Sequence, residues 1–324
     1  MTPRLIACVI DDDIVGDVRS GKSSGRAAAD LFVVRALRRF SPAVGVVAAV
    51  ERNTCTIEEL LHLKPSIVFN LAFSALRCEP SFAGALEMLG IPYTGSGPLG
   101  IGLANDKVRS RSLLAAAGIR VPRFVELSQT RPLAKIDFAP PFIVKPVISG
   151  NSVGIHAGSV VDSHARALKC ADRIWRELEE PAVCDEFIAG REFHVGVVET
   201  ARGVFKTAGI VELHFAGTKP GRGFTTEVVG GKDRARRAYK VSYRPAVLTG
   251  RKMAEMVDIA VTTSNLLQLR GYAKVDLRMD RQERLTVIEA NANPALWDGE
   301  IWRQPSFEAN LKRIMNAAVR RARE

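Results

Sequence analysis

The sequence predicts an α/β fold that begins with a doubly wound parallel sheet. In residues 1–103, short apolar runs alternate with segments of helical periodicity, which is the pattern of parallel strands joined by crossover helices. The composition, 47% hydrophobic and 25% charged over 324 residues, is that of a globular chain with about two domains. Ligands of such sheets bind at the carboxyl ends of the strands, so we expect a site there.

The first unit is predicted over residues 1–103. Its strands are apolar runs bounded by turn residues, and its helices carry apolar residues at intervals of three or four. The predicted strands are Leu5–Ile10, Val44–Val50 and Ser66–Asn70. The predicted helices are Ala27–Leu37, a short one opened by the capping box Thr56–Glu59, and Ser81–Leu89.

Two further units are predicted, over residues 104–181 and 182–324. The elements of the first are the helices Val108–Ala117 and Arg166–Leu178 and the strand Phe142–Pro146. Those of the second are the strands Ala182–Phe187, Glu192–Val198 and Lys206–Leu213, the helix Arg251–Gln268, and a hairpin with arms Tyr272–Met279 and Arg284–Ala290. The hairpin turn Asp280–Glu283 is polar, as expected between two half-buried strands.

Cysteine usage, hydropathy and charge exclude several protein classes. The five cysteines lie far apart without a C-x-x-C pair, which argues against a disulfide framework or a zinc ribbon. No signal sequence or apolar stretch of about 18 residues is present, so we expect a cytoplasmic protein without membrane contact. The net charge is +11, but the sequence lacks a nucleic-acid recognition motif, so we expect no nucleic-acid partner.

One short motif points to a nucleotide hydrolase. Gly16–Ser23 fits the P-loop pattern G-x-x-x-x-G-K-[ST] and lies between a predicted strand and a predicted helix. The alternative is a solvated Gly/Ser loop that caps the first helix. The strand Val68–Asn70 ends in Asn, whereas a P-loop enzyme needs a magnesium-binding Asp at such a place.

A dispersed set of polar residues predicts a magnesium–nucleotide site. Asp276 and Glu289 lie on opposite arms of the predicted hairpin, and Asn291 shares a face with Glu289. Carboxylate and amide oxygens suit Mg²⁺, although the same residues could be ordinary polar groups of an edge strand. Lys145 lies within an apolar strand, where its ammonium requires a partner such as a phosphate.

Two segments near Lys145 extend this nucleotide hypothesis. Ser149–Gly154 is a small, flexible loop that could bring backbone N–H groups onto phosphate oxygens, or could be a simple hairpin turn. Asp185–Ile188 and Gly190–Glu192 place acids beside an apolar strand, where they could flank an adenine and its ribose.

In order and spacing, these segments resemble the ATP-grasp superfamily and, within it, the D-alanine–D-alanine ligase family. Eight collinear blocks over residues 69–296 carry the resemblance. They are Phe69–Asn70, Leu89–Ser96, Asn105–Lys107, Ala117–Pro122, Ile143–Pro146 with Gly150–Gly154, Glu186–Glu192, Gly271–Asp276 and Glu289–Pro294. The resemblance implies an ATP-grasp fold in residues 104–181 and 182–324, preceded by a Rossmann-like pre-ATP-grasp domain.

The resemblance also implies an activity and a set of site residues. The activity is ATP-dependent formation of an amide between a carboxylate and an amine, most simply of amino acids, through an acylphosphate. The implied cofactors are ATP and two Mg²⁺, with Mn²⁺ as an alternative. The implied ATP ligands are Lys107 and Lys145 for the phosphates, Ser152 in the covering loop, Asp185, Phe187 and Ile188 around the adenine, and Glu192 for the ribose. The implied metal ligands are Asp276, Glu289 and Asn291.

Two predicted catalytic positions depart from the family pattern. Lys274 stands where the family has an arginine that steadies the oxyanion, and a lysine lacks the planar fork of that guanidinium. Asn151 stands where the family has the serine of the phosphate loop. These departures leave open a catalytically weak ATP-binding protein.

Other departures concern the substrates. The family's amine-binding glutamate has no counterpart in the first loop, where Asp13 or Asp17 could replace it. Leu71–Ser74 replaces a His-Gly pair, and Trp297–Glu300 replaces a Ser-Leu pair, so a ligase for another amino acid or a specialised metabolite is the alternative. By resemblance we also expect a mobile lid over residues 219–244, with Lys232 or Lys240 as phosphate contacts, and a homodimer.

Overall fold

The structure of the protein is a computed structural model. It describes residues 5–21, 27–41, 43–49, 55–72, 79–128, 135–150, 152–217, 223–224, 240–296 and 299–323. Within these residues the strands form three sheets of three, four and five strands. The first is fully parallel and the other two are antiparallel. The predicted α/β class is confirmed, with the parallel sheet at the N-terminus.

The N-terminal sheet has the order β2-β1-β3. Its strands are β1 (Ile6–Asp11), β2 (Val44–Ala49) and β3 (Ile67–Asn70), and its helices are α1 (Asp12–Ser20), α2 (Ala27–Leu37), α3 (Cys55–Leu63), α4 (Glu79–Met88) and α5 (Pro98–Asn105). Strand β1 is buried along its whole length, as expected for the central strand of a parallel sheet covered on both faces.

Residues 12–20 form helix α1, where the sequence predicted a phosphate-binding loop or a solvated loop. Gly16 lies inside this helix, and Gly21 ends it with a left-handed φ of 74°. Backbone N–H groups within a helix are bonded to helix carbonyls and so cannot cradle a phosphate. Both interpretations are therefore wrong for this part of the motif, while Lys22 and Ser23 lie outside the described residues. The residues of α1 that pack against the core are Ile14, Val15 and Val18.

The predicted capping box of the third helix is also wrong. Helix α3 begins at Cys55, so Thr56 lies inside it. The Thr56 hydroxyl is buried and donates to the Ala48 carbonyl at 2.9 Å. This contact ties α3 to β2 and does not cap a helix end.

The four-stranded sheet has the order β4-β7-β5-β6 and is covered by one long helix. Its strands are β4 (Phe124–Leu127), β5 (Phe142–Pro146), β6 (Val160–Val161) and β7 (Ala182–Glu186), and its helices are α6 (Lys107–Ala116) and α7 (His164–Leu178). Helix α7 buries Ala167, Ala171 and Ile174, whose spacing places them on one face against the sheet. The predicted boundary at 181 falls between α7 and β7, and that at 103 falls within α5, so the division into domains stays a prediction.

The five-stranded sheet has the order β10-β9-β8-β11-β12. Its strands are β8 (Arg191–Ala201), β9 (Val204–Ala216), β10 (Lys240–Pro245), β11 (Tyr272–Met279) and β12 (Leu285–Asn291), with helices α8 (Gly250–Leu266) and α9 (Phe307–Arg321). One hydrophobic cluster contains both Val9 of β1 and Val275 of β11, so the parallel sheet and the five-stranded sheet share a core. This core holds the predicted metal hairpin in a fixed position beside the N-terminal unit.

In the described part of the chain, no helix combines the length and the apolar character needed to cross a bilayer.

Candidate active site

A cleft of about 690 Å³, counted with the space open to solvent, lies between the four-stranded and five-stranded sheets. The predicted site residues that line it are Lys107, Lys145, Ser152, Asp185, Phe187, Ile188, Glu192, Asp276 and Glu289. Residues far apart in sequence thus meet because β5, β7, β11 and β12 all contribute to one cleft.

The two predicted metal carboxylates face each other across a strand pair. In the β11–β12 ladder Asp276 is opposite Glu289, and Lys274 is opposite Asn291. On the other side of β11, His194 of β8 is opposite Asp276. Cross-strand partners share one face of a sheet. His194, Asp276 and Glu289 therefore form a row of side chains on the face toward the cleft.

Asp276 has a polar surrounding that leaves one oxygen without a hydrogen bond. Its Oδ2 accepts from Asn291 Nδ2 at 3.4 Å. Its Oδ1 is buried and accepts no hydrogen bond, although Lys274 Nζ lies 3.3 Å away and His194 Nε2 lies 3.6 Å away. Burial raises the pKa of Asp276 to about 6, against the lowering effect of the Lys274 ammonium.

Glu289 is kept ionised by the cations around it. Burial raises the pKa of its carboxyl, but Lys107, Lys145 and Lys274 together lower the pKa by more, so the net shift is downward. The cleft therefore holds a carboxylate among ammonium groups. Such a site suits a metal–phosphate complex, since it offers both charges.

The donor set at the hairpin fits a hard divalent cation. Asp276 and Glu289 offer carboxylate oxygens, Asn291 offers an amide oxygen, and Asp276 Oδ1 is a buried oxygen without a hydrogen bond. Within the described ranges, no three His, Cys, Asp or Glu side chains form a metal-binding group. Mg²⁺ in proteins often has only one or two carboxylate ligands and shares its coordination with substrate phosphates and water.

A buried ion-pair cluster supports the floor of the cleft. Asp185 Oδ1 lies 2.8 Å from Arg111 Nη1, and Asp185 Oδ2 lies 3.0 Å from Lys145 Nζ. All three side chains are at most 5% exposed. Arg111 also donates to the Ile288 carbonyl at 3.1 Å, which joins α6 to β12. In this structure the partner of the Lys145 ammonium is therefore Asp185.

Arg278 organises the opposite end of the cleft. Its Nε and Nη2 lie 3.0 and 2.6 Å from Glu192 Oε2, and its Nη1 donates to the Ile188 carbonyl at 2.8 Å. Its guanidinium lies 5.0 Å from the centre of the Phe187 ring. Phe224 packs edge-on against Phe187. Arg278 thus holds the Glu192 carboxylate, the Phe187 ring and the Ile188 backbone next to one another.

Comparison with known proteins decides the family. Residues 113–303 match the family model described as the D-ala D-ala ligase C-terminus, which is more than half of the chain. The chain belongs to the D-alanine–D-alanine ligase family. The family resemblance found in the sequence is therefore confirmed.

Two relatives and one solved structure show the extent of the likeness. The uncharacterized protein y4sG of Sinorhizobium fredii is 31% identical over 242 residues, covering 71% of this chain and 66% of that protein. The D-alanine–D-alanine ligase of Bordetella petrii is 31% identical over 224 residues, covering 67% of this chain and 63% of that protein. The matches thus span slightly less than two thirds of these two relatives.

The solved structure establishes the fold. The crystal structure of the Bacillus anthracis D-alanine–D-alanine ligase complexed with ATP matches with a TM-score of 0.70, covering 99% of both chains at 16% identity. The predicted ATP-grasp fold is confirmed.

Several family positions fall outside the cleft or outside the described residues. Asn151, Lys232 and Trp297 lie outside the described residues, and Lys240 begins β10 at the edge of the five-stranded sheet. Asp13 and Asp17, the candidates for the amine-binding acid of the ligase family, lie in helix α1. Neither lines the cleft described above.

Sequence reasoning missed two arginines of this ligase-family site. Arg111 follows Lys107 by four residues, so the two share a face of α6, and this spacing was the available signal. Arg278 follows Asp276 by two residues on β11, and the β11–β8 ladder is continuous there, with Asp276 opposite His194 and Arg278 opposite Glu192. Strand alternation therefore places Arg278 on the face of Asp276, and this spacing was the available signal.

The pKa of Lys107 predicts a pH dependence of nucleotide binding. Burial lowers this pKa to about 8, Glu289 opposes the shift, and Lys145 adds to it. The ammonium is present below about pH 8 and is lost above it. We expect the affinity for ATP to fall about tenfold between pH 7 and pH 9, since the neutral amine binds phosphate weakly. Fluorescence titration with a labelled ATP analogue measures this.

The matched control for the pH prediction is Lys107→Arg, which keeps its charge at all these pH values. Its affinity should change less than threefold over the same range. An equally steep decline in this variant would assign the titration to another group.

Proposed function

We propose that this protein is an ATP-dependent carboxylate–amine ligase that acts on small amino acids or related compounds. The observation that carries the proposal is the row of Asp276 and Glu289 across the cleft from Lys107 and Lys145, next to the apolar side chains of Phe187 and Ile188. A cleft with one end for a flat base and the other for phosphates and metal suits a nucleoside triphosphate.

The nucleotide is proposed to lie along the cleft from Phe187 to Glu289. Phe187 and Ile188 provide the apolar contact for the adenine, and the Glu192 carboxylate, held by Arg278, accepts from the ribose hydroxyls. Lys107 and Lys145 then face the phosphates. A phosphate would take over part of the ion pairing that Lys145 now makes with Asp185.

Asp276, Glu289 and Asn291 are proposed to hold two magnesium ions, with Mn²⁺ as an alternative. When bound, these ions neutralise the charge that develops on the transferring phosphoryl group. Burial raises the pKa of Asp276, and the nearby positive charge of Lys274 opposes this rise and so favours the ionised carboxylate. The side-chain amide of Asn291 donates from Nδ2 to Asp276 Oδ2 at 3.4 Å and so orients the Asp276 carboxylate.

The proposed reaction has two steps. A carboxylate oxygen of the first substrate attacks the γ-phosphorus of ATP, the bond to the β-phosphate oxygen breaks, and ADP leaves. The amine of the second substrate then attacks the acyl carbon, loses a proton, and displaces inorganic phosphate to leave an amide. Lys274 is proposed to stabilise the oxyanion of this second step with its ammonium, and Asn151 to act within the phosphate loop.

The choice of amino acids is proposed to differ from that of a strict D-alanine–D-alanine ligase. Lys274 lacks the planar fork of the family's arginine. Asp13 and Asp17, which lie on α1, stay the candidates for the partner of the first substrate's amine. We propose that the ligase works in the cytoplasm and forms a homodimer, which light scattering of the purified chain measures.

A pair of substitutions separates this proposal from the P-loop hydrolase. Asp276→Ala should abolish amino-acid-dependent release of ADP, because it removes a metal ligand. Lys22→Ala should leave more than half of the amino-acid-dependent ADP release. The preceding residues Asp12–Ser20 form a helix, and their backbone N–H groups cannot cradle a phosphate. ADP release is followed with a coupled assay. The reverse pattern would overturn the ligase proposal in favour of the hydrolase.

A further inference from the structure

One carboxylate, that of Glu180, holds the start of the phosphate loop at residues 148–149, which we call the root of the loop. We define this loop as residues 147–154, which follow β5. Glu180, between α7 and β7, accepts hydrogen bonds from the backbone N–H groups of Ile148 at 3.1 Å and Ser149 at 3.0 Å, both through Oε2. Its Oε1 accepts from the Ser149 hydroxyl. One side chain thus satisfies three donors at the start of the loop.

The same root is held from the opposite side by Lys107. Its ammonium donates to the Ser149 carbonyl at 2.7 Å and approaches the Val147 carbonyl at 3.4 Å. The negative charge of Glu180 also raises the pKa of Lys107, against the effect of burial. Ser149 is therefore held at its N–H and hydroxyl by an anion and at its carbonyl by a cation.

The far end of the loop is anchored separately. Arg173 of α7 donates to the Gly154 carbonyl at 2.9 Å. Gly154 has a left-handed φ of 72°, and a Cβ there would lie 2.7 Å from Pro146 Cγ and 2.9 Å from Leu178 Cδ1. The loop end therefore fits only glycine. Both described ends of the loop are thus fixed to the framework, the first by Glu180 and Lys107 and the second by Arg173.

We propose that Glu180 is a positioning residue for the nucleotide. Its side-chain oxygens fix the root of the phosphate loop, whose Ser149 carbonyl in turn holds the Lys107 ammonium, so that loop and ammonium meet the phosphates without a further ordering cost. The inference rests on the proposed nucleotide site, but Glu180 itself does not line the cleft. It therefore acts through Ser149 and Lys107.

Hydrogen–deuterium exchange and nucleotide titration test this role at pH 7. In Glu180→Ala we expect the amides of Ile148 and Ser149 to exchange at least tenfold faster without ligand, because their acceptor is removed. We expect the dissociation constant for a nonhydrolysable ATP analogue with Mg²⁺ to rise at least tenfold. Glu180→Gln keeps an acceptor for both amides and should stay within about threefold of the unmodified protein in both measurements.

The matched control is Asp172→Ala, which removes an acid of the neighbouring helix α7 that forms an ion pair with the exposed Arg176. It should alter neither quantity by more than twofold, since exposed helix pairs contribute little. Unchanged exchange at residues 148–149 in Glu180→Ala, or faster exchange with unchanged nucleotide affinity, would overturn the positioning role. Absence of analogue binding to the unmodified protein would instead overturn the proposed function, because the exchange measurement without ligand still reports on Glu180.

Discussion

Replacing Glu289 by glutamine should lower kcat for amino-acid-dependent ATP consumption by at least about 10³-fold, equivalent to about 4 kcal/mol of transition-state stabilisation. The substitution keeps the shape and removes the charge. In the structure that charge is opposed by Lys107, Lys145 and Lys274, which hold the carboxyl pKa below its usual range. Without the negative charge of Glu289, these three lysines remain with fewer anions to balance them. The proposed metal site also loses one of its two carboxylates. Stopped-time assay of ADP and phosphate measures the loss.

The control for this substitution is Glu283→Gln in the turn of the same hairpin. Its side chain is exposed, and the turn lies beyond the end of β11. We expect kcat within about twofold of the unmodified protein. If Glu289→Gln kept more than a tenth of the activity, Glu289 could not be a metal ligand in the reaction.

Arg111→Ala should destabilise the fold by about 3 kcal/mol or more. Arg111 is 2% exposed and pairs with Asp185, which is 1% exposed. Removing one member of a buried ion pair leaves the other member incompletely compensated, which typically costs about 3–5 kcal/mol. Here Lys145 stays with Asp185, so the lower end of that range is expected. Loss of the bond to the Ile288 carbonyl adds to the effect.

Chemical denaturation followed by circular dichroism measures this change. The matched control is Arg166→Ala, since Arg166 and its partner Asp162 are 66% and 72% exposed. Exposed pairs contribute about 0–1 kcal/mol, so the control should shift the unfolding free energy by less than about 1 kcal/mol. Equal effects of the two substitutions would show that the Arg111–Asp185 pair does not hold the sheets together.

The sequence predicted the elements with strong periodicity and clear ends. The arms of the C-terminal hairpin were placed within one residue of β11 and β12, because polar residues alternate along β11 and a polar turn separates the two strands. Helix α2 was placed at its observed bounds. The pairing of Asp276 with Glu289 followed from the hairpin, since residues on facing arms meet across the ladder.

Helix α9 was missed although its signals are present. Ser306 caps it through a bond to the Ala309 N–H, and its buried residues recur at helical spacing. Helix α5 is harder to predict because it is short and rich in glycine. Gly100 lies there because a Cβ would be only 2.6 Å from the Gln268 carbonyl, a contact between distant segments.

The residues of the cleft that the sequence predicted are those in the motifs of the family resemblance, such as Lys145 and Asp276. Arg278, Arg111 and Glu180 act on family residues through contacts that bring together segments far apart in sequence. For Glu180 such contacts depend on tertiary packing and leave no local pattern, whereas the spacing of Arg111 from Lys107 and of Arg278 from Asp276 was a local signal. The P-loop interpretation failed for a related reason, since the motif says nothing of the apolar residues that fold residues 12–20 as a helix against the core.

The proposed ligase activity is tested most directly by measuring ADP and phosphate release from ATP with Mg²⁺ across a panel of D- and L-amino acids, with products identified by mass. We expect release that requires an amino acid, with one ADP and one phosphate formed for each amide, and a product mass equal to the two substrates less one water. ATP hydrolysis indifferent to every amino acid, or ATP binding without turnover on any of them, would contradict the ligase assignment.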